Sequence, residues 1–265
     1  GRVTGVQTCA LPISGQGQRK LIISRGRGYH GTTYGGTSAQ GIAPNREHFG
    51  PFVDEVVQVP ADDVEALASL MAQRGNEVAA VIVEPVQGAG GIYPADDGYL
   101  AGLRKLCDET DTMLIFDEVQ VGFGLGGPFA WHSKFRLLSG RGQPDYPDAV
   151  VFAKRAQVGV VMSRFSDPEP APAHNASLVR GRIHADMMSS GHNAGRIEKL
   201  VHPRLAQLAK SYPQFVQHPR ACGYAFAFDL PTPALLDAFL GQRFWRGAIV
   251  FAAGTRTARY RLSDS

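Results

Sequence analysis

The segment TMLIFDEVQVGFG, residues 112–124, contains the pattern that decides the fold. It starts with an unbroken apolar run, which is typical of a strand buried on both faces of a parallel sheet. The run ends abruptly at two acids, Asp117 and Glu118, and Gln120 and several glycines follow. In open parallel sheets, ligands bind beyond the carboxyl ends of the strands. The segment therefore predicts a buried strand with a polar site at its end.

Further apolar runs alternate with helical patterns on both sides of this segment. The predicted strands lie at 20–31, 53–60, 77–85 and 147–154, and the predicted helices at 61–75 and 96–110. For the first helix we expect Asp62 as the N-cap and Gly75 as the residue that stops it. Alternation of strands and helices with short connections predicts an α/β fold, with a mostly parallel sheet flanked by helices.

The C-terminal part of the chain is less regular. Residues 163–198 are rich in Pro, Ala, Ser and His and have weak periodicity, which predicts long loops around short elements. Beyond them, the patterns predict helices at 201–213 and 232–247 and strands at 221–231 and 247–254. We therefore predict a partial large α/β domain over 15–200 and a partial small C-terminal α/β domain over 201–265. Residues 1–14 resemble translated sequencing-adapter read-through and are expected to be non-native, and both ends are expected to be incomplete.

Composition disfavours several classes of protein. The net charge is only +3 and no basic stripe alternates with aromatic residues, so nucleic acid is not an expected partner. No apolar run approaches the roughly 20 residues of a membrane helix. The three scattered cysteines predict neither a disulfide framework nor a metal site, and they favour a reducing, cytoplasmic setting. No GxGxxG motif follows a strand with an acid about 20 residues on, which disfavours a dinucleotide-binding oxidoreductase.

Charged residues follow three of the predicted buried strands: Glu84, Asp117 and Lys154. Asp117 and Lys154 could form a structural ion pair or cap strand ends in water. Alternatively, they could hold a cofactor that needs a nucleophilic amine and a fixed anion. Pyridoxal phosphate has this need, because a lysine forms a Schiff base with its aldehyde and an aspartate keeps its pyridine nitrogen protonated. These residues alone leave both interpretations open.

Four sequence blocks together resemble the class III aminotransferases, the ω-aminotransferase branch of the fold type I pyridoxal-phosphate enzymes. In chain order the blocks are GYHGTTYGG (28–36), VIVEPVQGAGG (81–91), LIFDEVQVGFG (114–124) and PDAVVFAK (147–154). The resemblance is good over residues 20–160 and loose over 201–261, and within the family it is most similar to lysine 6-aminotransferases. It implies a fold type I large domain with part of the small C-terminal domain.

The resemblance also implies roles for individual residues. Lys154 would form the Schiff base with pyridoxal 5′-phosphate and move the proton, and Asp117 would pair with the pyridinium nitrogen. Gln120 would donate to the 3-hydroxyl group, and Tyr29 would stack on the ring, although a strand-end Tyr is as often a core aromatic.

Three further residues receive roles from the same resemblance. His30 would shape the cofactor turn, and Glu118 would brace the site, unless it is a solvated or paired acid. Arg259 takes the position that binds the substrate carboxylate, for which a planar guanidinium is suited. The alternative for Arg259 is an exposed surface arginine like its neighbours Arg256 and Arg261.

The sequence departs from the family pattern at three points. Ala89 stands where many ω-aminotransferases have a glutamate that masks the arginine in one half-reaction. The glycine-rich phosphate turn expected before residue 20 is absent, and the phosphate-binding threonine has no clean counterpart, Ser189 or Ser190 being the candidates.

The expected function is transfer of an amino group from an amine or ω-amino acid, such as the lysine 6-amino group, to a 2-oxo acid such as 2-oxoglutarate. The resemblance implies a homodimer. Two alternatives stay open: a pyridoxal-phosphate-dependent aminomutase on the same scaffold, and a catalytically inactive aminotransferase fragment.

Overall fold

A six-stranded sheet forms the centre of the computed structural model, which describes residues 16–134, 137–138, 144–164, 174–189 and 194–245. In chain order the strands are β1 (Leu21–Arg25), β2 (Val56–Val59), β3 (Val78–Val83), β4 (Val86–Gln87), β5 (Tyr93–Pro94), β6 (Met113–Asp117), β7 (Leu137–Leu138), β8 (Pro144–Asp145), β9 (Ala149–Phe152), β10 (Val160–Ser163), β11 (Gln217–Cys222) and β12 (Ala225–Asp229). The central sheet has the order β10-β9-β6-β3-β1-β2. Its strands run parallel except for β10, which pairs antiparallel with β9 at the edge. The predicted mostly parallel sheet is confirmed.

Helices connect and flank these strands. They are α1 (Tyr34–Ala39), α2 (Val64–Arg74), α3 (Asp97–Glu109), α4 (Asn175–Ser189), α5 (Ala194–Ser211) and α6 (Pro233–Trp245). One face of the sheet packs against α2 and α3, where Leu67 and Leu103 are fully buried beside Leu114 and Phe116 of β6. The alternate residues of β6 belong to a second buried cluster on the opposite face. Burial on both faces explains the continuous apolar runs in the sequence.

The first turn of α2 differs from the prediction. Asp63, not Asp62, is the N-cap, and its carboxylate accepts a hydrogen bond from the Ala66 N–H at 2.8 Å. Asp62 instead adopts a left-handed backbone with φ +59° and pairs with Arg25 at 2.6 Å. At the other end, α2 ends at Arg74 with Gly75 as its C-cap, as predicted, but Gly75 keeps a right-handed helical backbone and begins a 3₁₀ turn over Gly75–Glu77. Arg25 is fully buried and its guanidinium needs an anion, which explains why Asp62 pairs with Arg25 and leaves the N-cap position to Asp63.

The loops predicted for residues 163–198 are largely wrong. Helix α4 occupies 15 of these residues, and α5 starts at Ala194. The sequence shows no helical period of apolar residues here because the buried residue of α4 is a glycine, Gly181. The larger apolar side chains Leu178, Val179 and Ile183 are at least half exposed. The proposed boundary between domains, residues 200 and 201, falls within α5; the division itself remains a prediction.

The segment 221–231 forms part of a hairpin rather than one strand. Strands β11 and β12 pair antiparallel, with Cys222 opposite Ala225. Gly223 allows the tight turn between them because its φ is +59° and any Cβ would meet the backbone of Gly126 and Gly127. The predicted helix at 232–247 is confirmed as α6. The predicted strand at 247–254 lies outside the described residues, as does the segment 1–14.

Candidate active site

Four parallel strands of the central sheet, β1, β3, β6 and β9, end at the same edge of the sheet. The residues after these ends are the polar ones that the sequence analysis selected. Asp117 lies opposite Val151 in the register of β6 and β9, so Lys154 follows only three residues beyond that pair. The connection after β1 brings Tyr29 and His30 to the same edge, where Tyr29 contacts Glu84 and His30 contacts Asp117.

Asp117 and His30 form a buried pair. Nδ1 of His30 lies 2.9 Å from Oδ2 of Asp117, and only 2% and 5% of the two side chains are exposed. The other carboxylate oxygen accepts a hydrogen bond from the Val119 N–H at 3.1 Å. Nε2 of His30 is buried and has no hydrogen-bond partner within the described part of the chain. The contact therefore holds the Asp117 carboxylate in one orientation at the end of β6. It joins two residues that are 87 positions apart in the sequence.

Glu84, which follows β3, holds the turn that carries Tyr29. Its carboxylate accepts hydrogen bonds from the N–H groups of Tyr29 at 2.7 Å and Gly88 at 3.2 Å. Burial raises the pKa of Glu84 to about 7; the nearby Asp117 adds to this rise, while His30 and the two backbone N–H groups oppose it. Glu84 is thus a buried support beneath the site.

Lys154 presents its amine at the surface of this edge. Its side chain is exposed, and Nζ lies 5.8 Å from the ring centroid of Tyr29, within the range of a cation–π contact. The residue has a left-handed backbone with φ +41° and begins the 3₁₀ turn Lys154–Ala156. A non-glycine residue in this region is strained, and such strain occurs often at functional sites.

Glu118 and Gln120 contact protein groups around the site. Glu118 is buried and accepts hydrogen bonds from the N–H groups of Trp131 at 2.6 Å and His132 at 2.7 Å, and Nδ1 of His132 lies 2.8 Å from it. It thereby fixes the start of the 3₁₀ helix Trp131–Lys134. Gln120 is half-buried and lies so close over Gly88 that a Cβ there would overlap its Oε1.

The predicted residues are thus partly brought together. Tyr29, His30, Asp117 and Lys154 share one edge of the sheet, and Glu118 and Gln120 adjoin it. Arg259 and Ser190 lie outside the described residues, whereas Ser189 is exposed at the end of α4, where its hydroxyl donates to the Asp186 carbonyl. Among the described residues there is no cluster of side chains that could hold a metal ion.

Sequence reasoning missed two contacts: the pairing of His30 with Asp117, and the two hydrogen bonds that Glu84 accepts. The signal for the first was weak. Both residues follow strands that were expected in one parallel sheet, but the order of those strands was not predicted.

The family model described as Aminotransferase class-III matches residues 9–172, which is more than half of the chain. This chain belongs to the class III aminotransferases. The site described above lies entirely within the matched range. Among curated proteins, the L-lysine-epsilon aminotransferase of Mycobacterium tuberculosis is 34% identical over 242 residues, covering 80% of this chain and 51% of that protein. The glutamate-1-semialdehyde 2,1-aminomutase of Natronomonas pharaonis is 35% identical over 158 residues, covering 58% of this chain and 33% of that protein.

Solved structures of aminotransferases also resemble this class III aminotransferase chain. The lysine aminotransferase from M. tuberculosis in the internal aldimine form has a TM-score of 0.77 and 28% identity, and the match covers 89% of this chain and 60% of that one. The predicted fold type I architecture is thus confirmed. The chain spans about half the length of the curated lysine aminotransferase that it matches. Within the described residues, no helix is both long and apolar enough to span a bilayer.

Proposed function

We propose that this chain is part of a pyridoxal 5′-phosphate-dependent enzyme that moves an amino group from an amine or ω-amino acid to a 2-oxo acid. One observation carries the proposal: an exposed amine at Lys154, an aromatic ring at Tyr29 and a buried carboxylate at Asp117 share one edge of a parallel sheet. The similarity to lysine aminotransferases favours the 6-amino group of lysine as the donated group, and 2-oxoglutarate is the acceptor that the family resemblance implies.

The residues at this edge fit the cofactor chemically. Lys154 offers a primary amine that solvent can reach, and Asp117 offers a carboxylate whose two oxygens are already oriented by His30 and Val119. Tyr29 offers a half-buried ring near the lysine. We propose that Lys154, Asp117, Tyr29 and Gln120 hold the cofactor directly. His30 and Glu118 belong to the same proposed site, since the first holds Asp117 and the second fixes the segment at Trp131.

When bound, pyridoxal phosphate supplies an aldehyde that condenses with amines and a ring that accepts the electron pair left on the substrate carbon. Asp117 contributes a fixed negative charge, which stabilises a proton on the ring nitrogen. His30 keeps that carboxylate from rotating. Lys154 would contribute the nucleophilic amine and would carry a proton at Nζ as a general base and acid. Arg259 is proposed to bind a substrate carboxylate.

The decisive experiment is reduction with borohydride in the presence of pyridoxal phosphate, followed by peptide mapping. We expect a pyridoxyl group on Lys154 and its loss in Lys154→Ala. Lys105→Ala is the matched control, because Lys105 is a highly exposed lysine on α3 that forms an ion pair with Glu109 at 3.8 Å. Labelling spread evenly over surface lysines, or none at all, would contradict the proposal and favour the inactive-fragment alternative.

An aminomutase is the second candidate, favoured by the similarity to the aminomutase of N. pharaonis. It would use Lys154 and Asp117 in the same way, but it needs no external 2-oxo acid. Incubation with L-lysine and 2-oxoglutarate separates the two, since only a transaminase forms glutamate in proportion to the lysine consumed.

We also propose a homodimer, which the family resemblance implies, in a cytoplasmic setting, which the scattered cysteines favour. The exposed apolar side chains of α4, Leu178, Val179 and Ile183, support an assembly that covers them. Light scattering of the purified chain tests the dimer, and Ile183→Asp should shift it toward monomer if α4 lies in the interface.

A further inference from the structure

A short hairpin loop adjoins the proposed site on the side of Gln120. Strands β4 and β5 pair with each other, and the residues between them, 88–92, form what we call the 88–92 loop. The loop is tied to the site at its first residue, where the Gly88 N–H donates to Glu84. The side chain of Gln120 packs directly against Gly88. Ala89, at the position of the family's gating glutamate, is half-exposed within this loop.

The loop also packs tightly on the turn that precedes Tyr29. The side chain of Gln87 donates to the Gly26 carbonyl at 2.6 Å. A Cβ on Gly90 would lie 2.5 Å from the carbonyl oxygen of Arg27, so only glycine permits this approach. Ile92, at the end of the loop, has φ +57°, which is unfavourable for a β-branched residue. Surrounding contacts must therefore hold the loop in place.

Arg220, on β11, supplies such contacts from far along the chain. Its Nε donates to the Gly91 carbonyl at 2.9 Å, across 129 residues of sequence. Its terminal nitrogens donate to both carboxylate oxygens of Asp229 at 3.1 and 2.7 Å, and one of them also donates to the His218 carbonyl at 2.7 Å. The Arg220 side chain is 12% exposed. One side chain thus divides its donors between the C-terminal hairpin and the 88–92 loop.

Tyr93 completes the connection. The guanidinium carbons of Arg27 and Arg220 lie 4.4 and 4.1 Å from the centroid of its ring. Arg27 belongs to the turn before Tyr29, and Arg220 belongs to the β11–β12 hairpin. Cation–π contacts of this kind favour a planar guanidinium over an ammonium group.

We propose that Arg220 is a positioning residue for the amino donor: it fixes the 88–92 loop beside the site, so that donor binding depends on the seating of the C-terminal hairpin. This inference rests on the proposed function. The hydrogen bonds and ring contact of Arg220 in the described part of the chain involve none of Lys154, Asp117 and His30, so its loss should leave cofactor binding nearly unchanged. The effect should instead fall on the donor, because the loop is the part of the site wall that Arg220 holds.

Hydrogen exchange tests the structural half without cofactor or activity. In Arg220→Met, amides of residues 86–94 should exchange about tenfold faster, while those of β3 and β6 stay unchanged. Arg220→Lys should not restore protection fully, because lysine lacks the bidentate fork and the planar stacking group. Arg182→Met is the matched control, since Arg182 also makes two bonds to an aspartate, Asp186, but on its own helix and in solvent. Faster exchange confined to 217–229 would overturn the proposal, because Arg220 would then stabilise only its own hairpin.

Kinetics tests the functional half. For Arg220→Met we expect the KM for the amino donor to rise about tenfold, with kcat and the Kd for pyridoxal phosphate within about twofold of the unchanged chain. A parallel loss of cofactor affinity and donor affinity would contradict a role confined to the loop. If the unchanged chain forms no pyridoxyl adduct at Lys154, the proposed function fails and the positioning of a donor fails with it, whereas the exchange result still decides whether Arg220 holds the loop.

Discussion

Nδ1 of His30 lies 2.9 Å from Oδ2 of Asp117, and this contact joins the turn after β1 to the end of β6 across the intervening strand β3. A buried carboxylate that loses a partner is costly, because the remaining protein groups cannot replace the lost hydrogen bond. The pair therefore gives a specific reason why a histidine is present in the YHG block, beyond the shape of the turn.

The first prediction concerns this pair. His30→Leu should weaken pyridoxal phosphate binding by about tenfold or more, since hydrogen bonds to charged groups contribute about 1.5–3 kcal/mol. His30→Asn should retain most of the affinity, because the asparagine amide can donate from nearly the same place as Nδ1. Absorption titration with the cofactor measures both. Equal affinities for the two variants would show that the hydrogen bond does not orient Asp117 for binding.

The second prediction follows from the burial of Glu84, which raises its pKa from 4.5 to about 7. Between these two values the folded chain binds more protons than the unfolded chain, so the free energy of unfolding falls as the pH rises. The contribution is complete below about pH 4.5 and is lost as the pH passes 7, amounting to roughly 3 kcal/mol at 1.36 kcal/mol per pKa unit.

Urea unfolding at pH 5 and pH 8 tests this dependence. Glu84→Gln should remove most of it, because glutamine does not titrate. Glu65→Gln, an exposed change in the first turn of α2, is the control and should keep the pH dependence of the unchanged chain. A similar slope in Glu84→Gln and in the unchanged chain would assign the dependence to other groups.

The third prediction separates stability from activity at Lys154. With φ +41°, this position favours glycine, whereas any residue with a Cβ is strained there by about 1–2 kcal/mol. Lys154→Gly should therefore unfold at higher urea concentration than Lys154→Ala. Neither variant should form a pyridoxyl adduct at this position. Equal unfolding midpoints for the two variants would argue against backbone strain at the proposed catalytic lysine.

The fourth prediction concerns Gly88. A Cβ at this position would overlap Oε1 of Gln120, which is the far end of a flexible side chain. Gly88→Ala should therefore cost little stability, about 1 kcal/mol or less, but it should displace Gln120 and weaken cofactor binding several-fold. Gly159→Ala is a suitable control, because a Cβ there would meet nothing within 4 Å. Unchanged cofactor affinity in Gly88→Ala would remove Gln120 from the proposed binding set.

Much of the fold could be predicted from the sequence because the buried strands are nearly pure apolar runs. Residues 78–83 and 113–117 show this most clearly, since every residue in both strands is buried. The position of the site also followed from the strands, because Asp117 and Lys154 stand at or just beyond carboxyl ends that a parallel sheet brings to one edge.

Other features depend on contacts that local sequence does not encode. Helix α4 was not predicted because its apolar side chains lie on several sides of the helix, and Gly181 is its one buried residue. The N-cap of α2 was assigned to the wrong aspartate because Asp62 forms an ion pair with Arg25, which lies 37 residues away in the sequence. Arg220 and Gly91 are separated by 129 residues, so no periodicity or motif could connect them.

Because Asp117 is paired in register with Val151, their separation in space is set by neighbouring strands and does not depend on how many residues connect them. Insertions or deletions in the part of the connection between β6 and β9 that lies well beyond Glu118 and Gln120 should therefore be tolerated without moving Lys154. A shift of β9 by a single residue would be different, because it would exchange the two faces of the strand and move Val150 and Phe152 from one buried cluster to the other, where Ala149 and Val151 now pack. Relatives of this chain should accordingly vary in length between these strands while keeping the short step from Val151 to Lys154 constant.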